Sequence, residues 1–591
     1  MDIPDRAGAS DPASRRVAAA LARAEWQPTV FAAEPSRLDI LSLSPSWPLE
    51  PLRIAVHRNS GVELFTVPLA RFLAYAGYAA EFAIGDYDDS LVFGGNAGEA
   101  GGAAAELVWL DTMRYAMPPS ELAVWLAGRL RARRARVGWP MLVGLLPTEI
   151  AGASHRGDAP GAQGAAHPDD LDRLLIDRLA DLAGVSVMPV AELARNVGAG
   201  FFDPRTASVT ASPLSNRGAI EVARRLAFVW LMPALQPRIK AVAVDLDGTI
   251  CRGVLGEDGP AALSIEPAHV AIQTALRDLG RAGVMLVLVS KNDAEDVDRL
   301  FDARSDFPLG IADFAVRAAG WGEKATSIAG AAEKLRIDPS TFLLLDDNIG
   351  EVAAAAAAIP GLRTLLAGDA VETARALGLF PGLVGYRTGE ADAVRLPDLL
   401  AADERARLVE TAVDSVSYLR SLDVRLTFAS DPTSHRDRLH ELSMKTNQFN
   451  TALARYSEVE VDRRIAAPDC RTISVALADR LSESGIIAAV QTHREDDTVV
   501  VDEIAISCRA LGRGLEDAIV GEAIVKAAEE LGAARARIQV VEGPRNEPAR
   551  AYVGALLAET GGDEAATLVL LAARVDRLRE AVSIEWPAPP R

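Results

Sequence analysis

Three short apolar runs govern what this chain can fold into: AVAVDLDG (241–248), LVLVSKN (286–292) and FLLLDDN (342–348), each unbroken until it ends in Asp or Ser. Runs of four or five apolar residues without alternation are what a strand shows when both faces of its sheet are covered, the condition of a parallel sheet. Strands are predicted at Ile239–Val244, Val284–Val289, Thr341–Leu345 and Leu362–Leu366, with helices at Pro267–Ala282, Ala294–Phe301, Lys324–Leu335 and Ile349–Ile359. This strand–crossover–strand order implies a doubly wound α/β domain, in which reacting groups collect beyond the carboxyl ends of the strands.

At 591 residues the chain has room for about two to four domains. Residues 1–50 read as a loose leader, partly helical near Arg16–Glu25 and then rich in Ser and Pro. Residues 51–236 read as a first α/β domain, with strands at Arg53–His57, Ala79–Ile84, Glu106–Leu110 and Pro140–Leu146. Helices follow at Val62–Tyr75, Asp169–Ala183 and Leu214–Trp230, and Ala151–His167 reads as a flexible loop. The central domain spans 237–398, and a helix over Leu399–Leu422 makes a connector, 399–423. In 424–591, Val424–Ala429, Thr472–Ala478, Gly485–Gln491 and Thr498–Ile506 read as antiparallel strands. A helix (Gly514–Leu531), a strand (Arg537–Val541), a helix (Ala549–Ala558) and strands at Thr567–Leu571 and Val582–Trp586 complete an α+β domain.

The net charge of −20 argues against a general nucleic-acid or anionic-membrane binder, because no basic excess is available for phosphate contacts. No stretch reaches the ~18 uninterrupted apolar residues of a membrane span. Three scattered cysteines, Cys251, Cys470 and Cys508, make no disulfide framework or zinc motif, which points to a reducing cytoplasm.

Asp245 and Asp247 stand two residues apart at the end of the first central strand, and such a pair calls for a neutraliser; Mg²⁺ prefers hard oxygen ligands of this kind. Ser290 ends the next strand, Lys324 opens a helix, and Asp346 and Asp347 end a third strand. This series resembles the four motifs of the haloacid-dehalogenase (HAD) superfamily. The resemblance implies a Rossmannoid core in which Asp245 attacks phosphorus and Asp247 serves the leaving group and then water. Ser290 and Lys324 would hold phosphoryl oxygens, and Asp245, Asp247, Asp346 and Asp347 would surround Mg²⁺. Only 44 residues lie between Asp245 and Ser290 and 33 between Ser290 and Lys324, which leaves no room for a large cap. An open site suits a substrate presented on a macromolecule or a tethered arm.

RGVLGEDG (252–259), SKNDAEDV, FLLLDDNIGE, LSMKTNQFN (442–450) and SCRALGRGLE (507–516) together resemble the FkbH-like proteins of polyketide-type biosynthesis. That resemblance implies loading of a glyceryl unit from 1,3-bisphosphoglycerate onto the phosphopantetheine thiol of an acyl carrier protein, with loss of phosphate and passage through an enzyme cysteine. The family commonly reads DxDNTLWxGVxGEDG, whereas this chain has Gly248 for Asn, Cys251 for Trp and Leu255 where some members carry cysteine. Two readings stand for Cys251: the acyl-carrying thiol, or a small buried filler.

Arg509, Gly512 and Gly514 make an R-x-x-G-x-G turn between a strand and a helix, similar to the acyl-CoA-binding turn of GNAT acetyltransferases. It reads as a pantetheine or acyl-CoA site, or as a tight turn only. Lys445, Asn447 and Gln448 read as carrier contacts or as stitching between domains. In the first domain Ser60 follows a strand as in SGNH-type or flavodoxin-like folds. No histidine occurs between His167 and His269, so a docking role is expected rather than hydrolysis; Asp111 and Arg114 read as site remnants or strand-end caps. The leading expectation is carrier loading. A HAD phosphatase fused to an independent acyl-CoA-dependent N-acyltransferase and a carrier-binding scaffold are the alternatives.

Overall fold

The computed structural model describes residues 11–94, 102–147, 168–383 and 414–587, with 405 and 408, except 181, 183, 204, 206–208, 508 and 544. The chain divides into two compact units, Met1–Thr388 and Gly389–Arg591. The loop read at Ala151–His167 and most of the connector lie outside the described residues; Ser415–Leu422 is helical.

Unit 1 holds two five-stranded sheets, each all parallel. The first comprises β1 (Glu50–Arg58), β2 (Tyr78–Tyr87), β3 (Ala105–Asp111), β4 (Met141–Leu146) and β5 (Val185–Met188), in the order β2-β1-β3-β4-β5. The second comprises β6 (Ala241–Val244), β7 (Met285–Ser290), β8 (Phe314–Ala319), β9 (Phe342–Asp346) and β10 (Arg363–Leu366), in the order β10-β9-β6-β7-β8. Every residue of β6, β7 and β9 is buried, as unbroken apolar runs require. Read from its other edge, the second sheet has the doubly wound order 3-2-1-4-5, whose strand order reverses between β6 and β9. β5 and β8 escaped the sequence reading: β5 is four residues long, and β8, AVRA at its centre, is only partly buried.

The helix expected near Arg16–Glu25 is present and longer, and it is tied down by packing. Helix α1 (Pro12–Val30) packs on α2 (Ile349–Ala358), with Arg16 Nε donating to Ala356 O at 3.1 Å and Leu366 N donating to Gln27 Oε1 at 3.2 Å. Trp26, Val30 and Phe31 enter a core cluster that also takes in Phe72, Phe228, Val244 and Phe380. The segments expected as separate domains, 51–236 and 237–398, thus share one core as far as the described residues extend.

Unit 2 is an α+β unit. β11 (Val424–Ser430), β12 (Phe449–Asn450), β13 (Cys470–Ala478), β14 (Glu483–Glu495), β15 (Thr498–Ile506), β16 (Arg535–Ile538) and β17 (Val582–Glu585) form one sheet in the order β12-β15-β14-β13-β11-β17, with β16 also on β15. The four strands read as antiparallel pair that way. The strand predicted at Thr567–Leu571 is instead part of a helix, Glu564–Leu578. Its buried residues Thr567, Leu571 and Val575 recur every four positions, and Asp563 caps it by accepting from Ala565 N and Ala566 N, so helical periodicity overrides the local β-like run.

Candidate functional site

The site grows from the reversal between β6 and β9. Asp245 N donates to Leu345 O at 3.0 Å, carrying the strand pairing one step past β6 and setting Asp245 beside Asp346. Lys324, the first residue of helix α3 (Lys324–Lys334), places Nζ 2.7 Å from Asp245 Oδ1 and 2.5 Å from Asp346 Oδ2. All three side chains are buried, while Asp347 is exposed. One oxygen each from Asp245, Asp346 and Asp347 lies within 4.8 Å of the others.

Three carboxylates against one ammonium leave an excess of negative charge. Burial pushes the Asp245 carboxyl up to about 7, with Lys324 pulling it down and Asp346 adding to the rise. Burial likewise raises Asp346, and partial desolvation on the inner side of the exposed Asp347, followed by the charge on Asp346, raises that carboxyl. Burial works against the Lys324 charge, yet Asp245 and Asp346 hold its pKa above the ordinary lysine value. Two buried oxygen donors and one exposed one, with uncompensated charge, fit a small divalent cation.

The turn after β6 is built for this approach. Gly248 has φ +70°, and a Cβ there would stand 2.2 Å from Asp347 Oδ2. A larger residue would therefore have to displace the carboxylate. Thr249 Oγ1 accepts from Asp347 N at 3.1 Å, and Asn348 N donates to Asp346 Oδ1 at 2.9 Å.

Asp247 is not among the three carboxylates whose oxygens lie within 4.8 Å of one another, and its side chain is held by two donors. Its Oδ1 accepts from Leu255 N (2.9 Å) and its Oδ2 from Asn292 Nδ2 (2.6 Å). Asn292 Nδ2 also donates to Ser290 Oγ at 2.8 Å. Asn292 is buried and links the two motifs; the sequence reading missed it, although it stands two residues past Ser290 on the same turn. Cys251 is fully buried in the core, with Sγ 3.6 Å from Leu246 O, and burial, followed by the charge on Asp247, pushes its thiol up to about 12. Of the two readings of Cys251, this burial favours the small filler.

In unit 2 the glycine turn has the positive φ expected, +75° at Gly512 and +71° at Gly514. Gly512 N, however, donates to Glu516 Oε1 at 3.4 Å, and Glu516 and Asp517 place negative charge in the first turn of the helix Glu516–Leu531, where a pyrophosphate would need donors. Arg509 spends Nη1 on Ser484 O at 2.8 Å. The tight-turn reading accounts for Arg509, Gly512 and Gly514. Lys445 pairs with Glu441 (2.8 Å), and Asn447 Oδ1 accepts from Arg455, both within the unit.

In the first sheet, Asp111 accepts from Met113 N at 3.1 Å and caps its strand end, with Arg114 Nε 3.9 Å away. No described helix is long and apolar enough to cross a membrane.

No protein-family model matches the chain, and no curated protein does. Among solved structures, the N-terminal part of the protein BF1531 from Bacteroides fragilis, containing a phosphatase domain complexed with Mg, aligns at 19% identity over 56% of this chain and 95% of its own, with a TM-score of 0.46. A candidate HAD-like phosphatase from Mesorhizobium loti aligns at 19% identity over 24% of this chain and 88% of its own, with a TM-score of 0.16. At these scores the functional reading rests on the side chains of this chain itself.

Proposed function

We propose that the second sheet of unit 1 carries a divalent-metal-dependent, HAD-type phosphoryl-transfer site with Asp245 as nucleophile. One observation carries this reading: Asp245, Asp346 and Asp347 converge with Lys324 where the strand order reverses. Asp245, Asp346 and Asp347 would hold Mg²⁺, which when bound supplies charge neutralisation at the transferring phosphoryl group.

The Asp245 carboxylate attacks phosphorus and forms an aspartyl phosphate, while the leaving oxygen takes a proton from Asp247. Asp247 then removes a proton from the water that attacks the phosphorus and releases phosphate. Leu255 N and Asn292 keep Asp247 aimed through both steps. Lys324 and the Ser290 hydroxyl balance charge on the phosphoryl oxygens. Asp245→Asn is expected to lower phosphate release from p-nitrophenyl phosphate in Mg²⁺ by at least about 10³-fold; retention of most of the turnover would remove Asp245 from the reaction.

Loading of a carrier protein is the finer reading. It is supported by the RGVLGEDG and KTNQFN stretches and by the lack of an inserted cap between Asp245 and Asp347. In this reading 1,3-bisphosphoglycerate is the donor and the phosphopantetheine thiol of an acyl carrier protein receives the glyceryl unit, without participation of Cys251. Intact-mass measurement of holo carrier protein incubated with the chain, Mg²⁺ and 1,3-bisphosphoglycerate tests it: no adduct on any cognate carrier rejects loading but leaves phosphate release standing.

A further inference from the structure

Three exposed apolar side chains stand on the carboxyl edge of the second sheet of unit 1, each close in sequence to a residue of the candidate site. Because that sheet is all parallel, the loops after β6, β8 and β9 leave from this one edge. Val254 follows β6 and immediately precedes Leu255, whose N donates to Asp247 Oδ1 at 2.9 Å. Ile349 opens α2, two residues past Asp347. Trp321 lies between β8 and α3, three residues before Lys324.

Isolated exposed apolar residues are common on protein surfaces and need no account. This indole differs in being held. All eight tryptophans are described; seven are buried or half-buried, and Trp321 alone is exposed. Its Nε1 donates to Asp293 Oδ1 at 3.1 Å, and the N of the preceding Gly320 donates to Ser290 O at 2.9 Å. The ring is thereby tied to the turn that carries Ser290 and Asn292 on one side, and to the helix that carries Lys324 on the other. An apolar face fixed in water beside the site gains free energy only when something covers it.

The charges of the same edge decide what can cover it. Outside Lys324, the cations in the loops that leave β6 to β10 are Arg252 and Lys291. Arg252 Nη1 pairs with Glu266 Oε1 at 3.0 Å, and Lys291 Nζ with Glu351 Oε1 at 2.5 Å. Lys324 itself is buried between Asp245 and Asp346. Asp293, Glu323 and Asp347 remain exposed. A second anionic group on the substrate would meet these acids with every nearby cation already engaged. An uncharged apolar group avoids that repulsion and covers the indole.

We infer that Trp321, Val254 and Ile349 form a specificity rim for the phosphoryl-transfer site, and that the substrate carries its phosphoryl group on an uncharged apolar group that packs on the indole. The inference rests on the phosphoryl-transfer reading. It parts from the carrier-loading reading over the donor, because 1,3-bisphosphoglycerate brings a second phosphate to the rim.

Three acyl phosphates keep the reacting group constant and vary what accompanies it: benzoyl phosphate, acetyl phosphate and 1,3-bisphosphoglycerate. Phosphate release by the full chain in Mg²⁺ is expected to show the lowest KM for benzoyl phosphate and the highest for 1,3-bisphosphoglycerate. Trp321→Ala should raise KM for benzoyl phosphate by about three- to tenfold, more than it lowers kcat, and bring that KM towards the acetyl phosphate value. Val254→Ser and Ile349→Ser should shift it in the same direction by less. A KM for benzoyl phosphate no lower than that for acetyl phosphate overturns the rim, as does a lowest KM for 1,3-bisphosphoglycerate, or a benzoyl-to-acetyl KM ratio that Trp321→Ala leaves in place. Those three outcomes leave phosphoryl transfer standing. Absence of release from every acyl phosphate rejects the phosphoryl-transfer reading and the rim together.

Discussion

The two parallel sheets of unit 1 follow one plan and dispose of buried charge in opposite ways. In the first sheet the strand order reverses between β1 and β3, and neutral groups meet there: Asn59 Nδ2 donates to Asp111 O at 3.2 Å and Asn59 Oδ1 accepts from Asp111 N at 2.6 Å. The buried charge of that sheet lies at the start of β3, where Arg133 Nε binds both oxygens of Glu106 (3.1 and 3.2 Å) and His57 Nε2 lies 3.5 Å away. Burial would raise the Glu106 carboxyl, yet His57 and Arg133 hold it at about 2. In the second sheet the charges crowd the reversal itself, and burial leaves Asp245 at about 7. A depressed carboxyl marks a charge already matched within the fold. A raised one, on a cluster at a sheet edge, marks a charge the fold leaves unmatched.

The strongest break of this comparison exchanges the two edges. Asp346→Asn is expected to cut phosphate release by about 10³-fold, whereas Asp111→Asn should leave it within about twofold. Equal effects would mean that the first sheet also takes part in the chemistry.

Next comes pH. The pKa of Glu106 in the folded chain is below its ordinary 4.5, so its contribution to stability is complete above about 4.5 and is lost as the pH falls towards 2. Over that window the loss is about 3 kcal/mol. Urea melts at descending pH should show it, and Glu106→Gln should flatten the dependence while lowering stability at neutral pH. Asp245 has the opposite sign: its pKa in the folded chain lies above its ordinary 3.8, so the metal-free protein loses stability as the pH rises from 3.8 to about 7. Mg²⁺ should therefore raise Tm more at pH 7.5 than at pH 5, where at a hundredfold excess over Kd the whole gain at pH 7.5 is the equivalent of about 2.7 kcal/mol. Asp347→Asn should diminish that gain.

A smaller effect is expected at the rim. Trp321 is 72% exposed, and its Nε1 donates to Asp293 Oδ1 at 3.1 Å, three residues before Lys324. Trp321→Ala should raise KM for an aryl phosphate by about three- to tenfold and leave KM for acetyl phosphate and both kcat values in place. Ser60→Ala should be the mildest change. Ser60 is buried, and its Oγ makes no hydrogen bond among the described residues, so phosphate release and Tm should both hold.

Much of the second sheet was legible because burial on both faces writes itself as unbroken apolar residues, and Asp245, Ser290 and Asp346 each end such a run. Lys324 was legible as the opening of a helical pattern. Asn292 was not, since a lone amide in a turn carries no period and its value comes from touching both Asp247 and Ser290. The helix near Arg16–Glu25 was legible but its packing was not, and the Thr567–Leu571 segment was misread because a few apolar residues are compatible with a strand or a helix until a partner surface selects one.

What the amino-acid order determined alone is which residues stand at the ends of buried strands, because burial and periodicity act along the chain. Tertiary structure decided which of those residues share a pocket. It turned Asp247 toward Asn292, buried Cys251, and set Cys470 opposite His493 from a strand 23 residues away. Those outcomes depend on strand register and the direction in which a side chain leaves its turn, and both are fixed by contacts between segments distant in sequence.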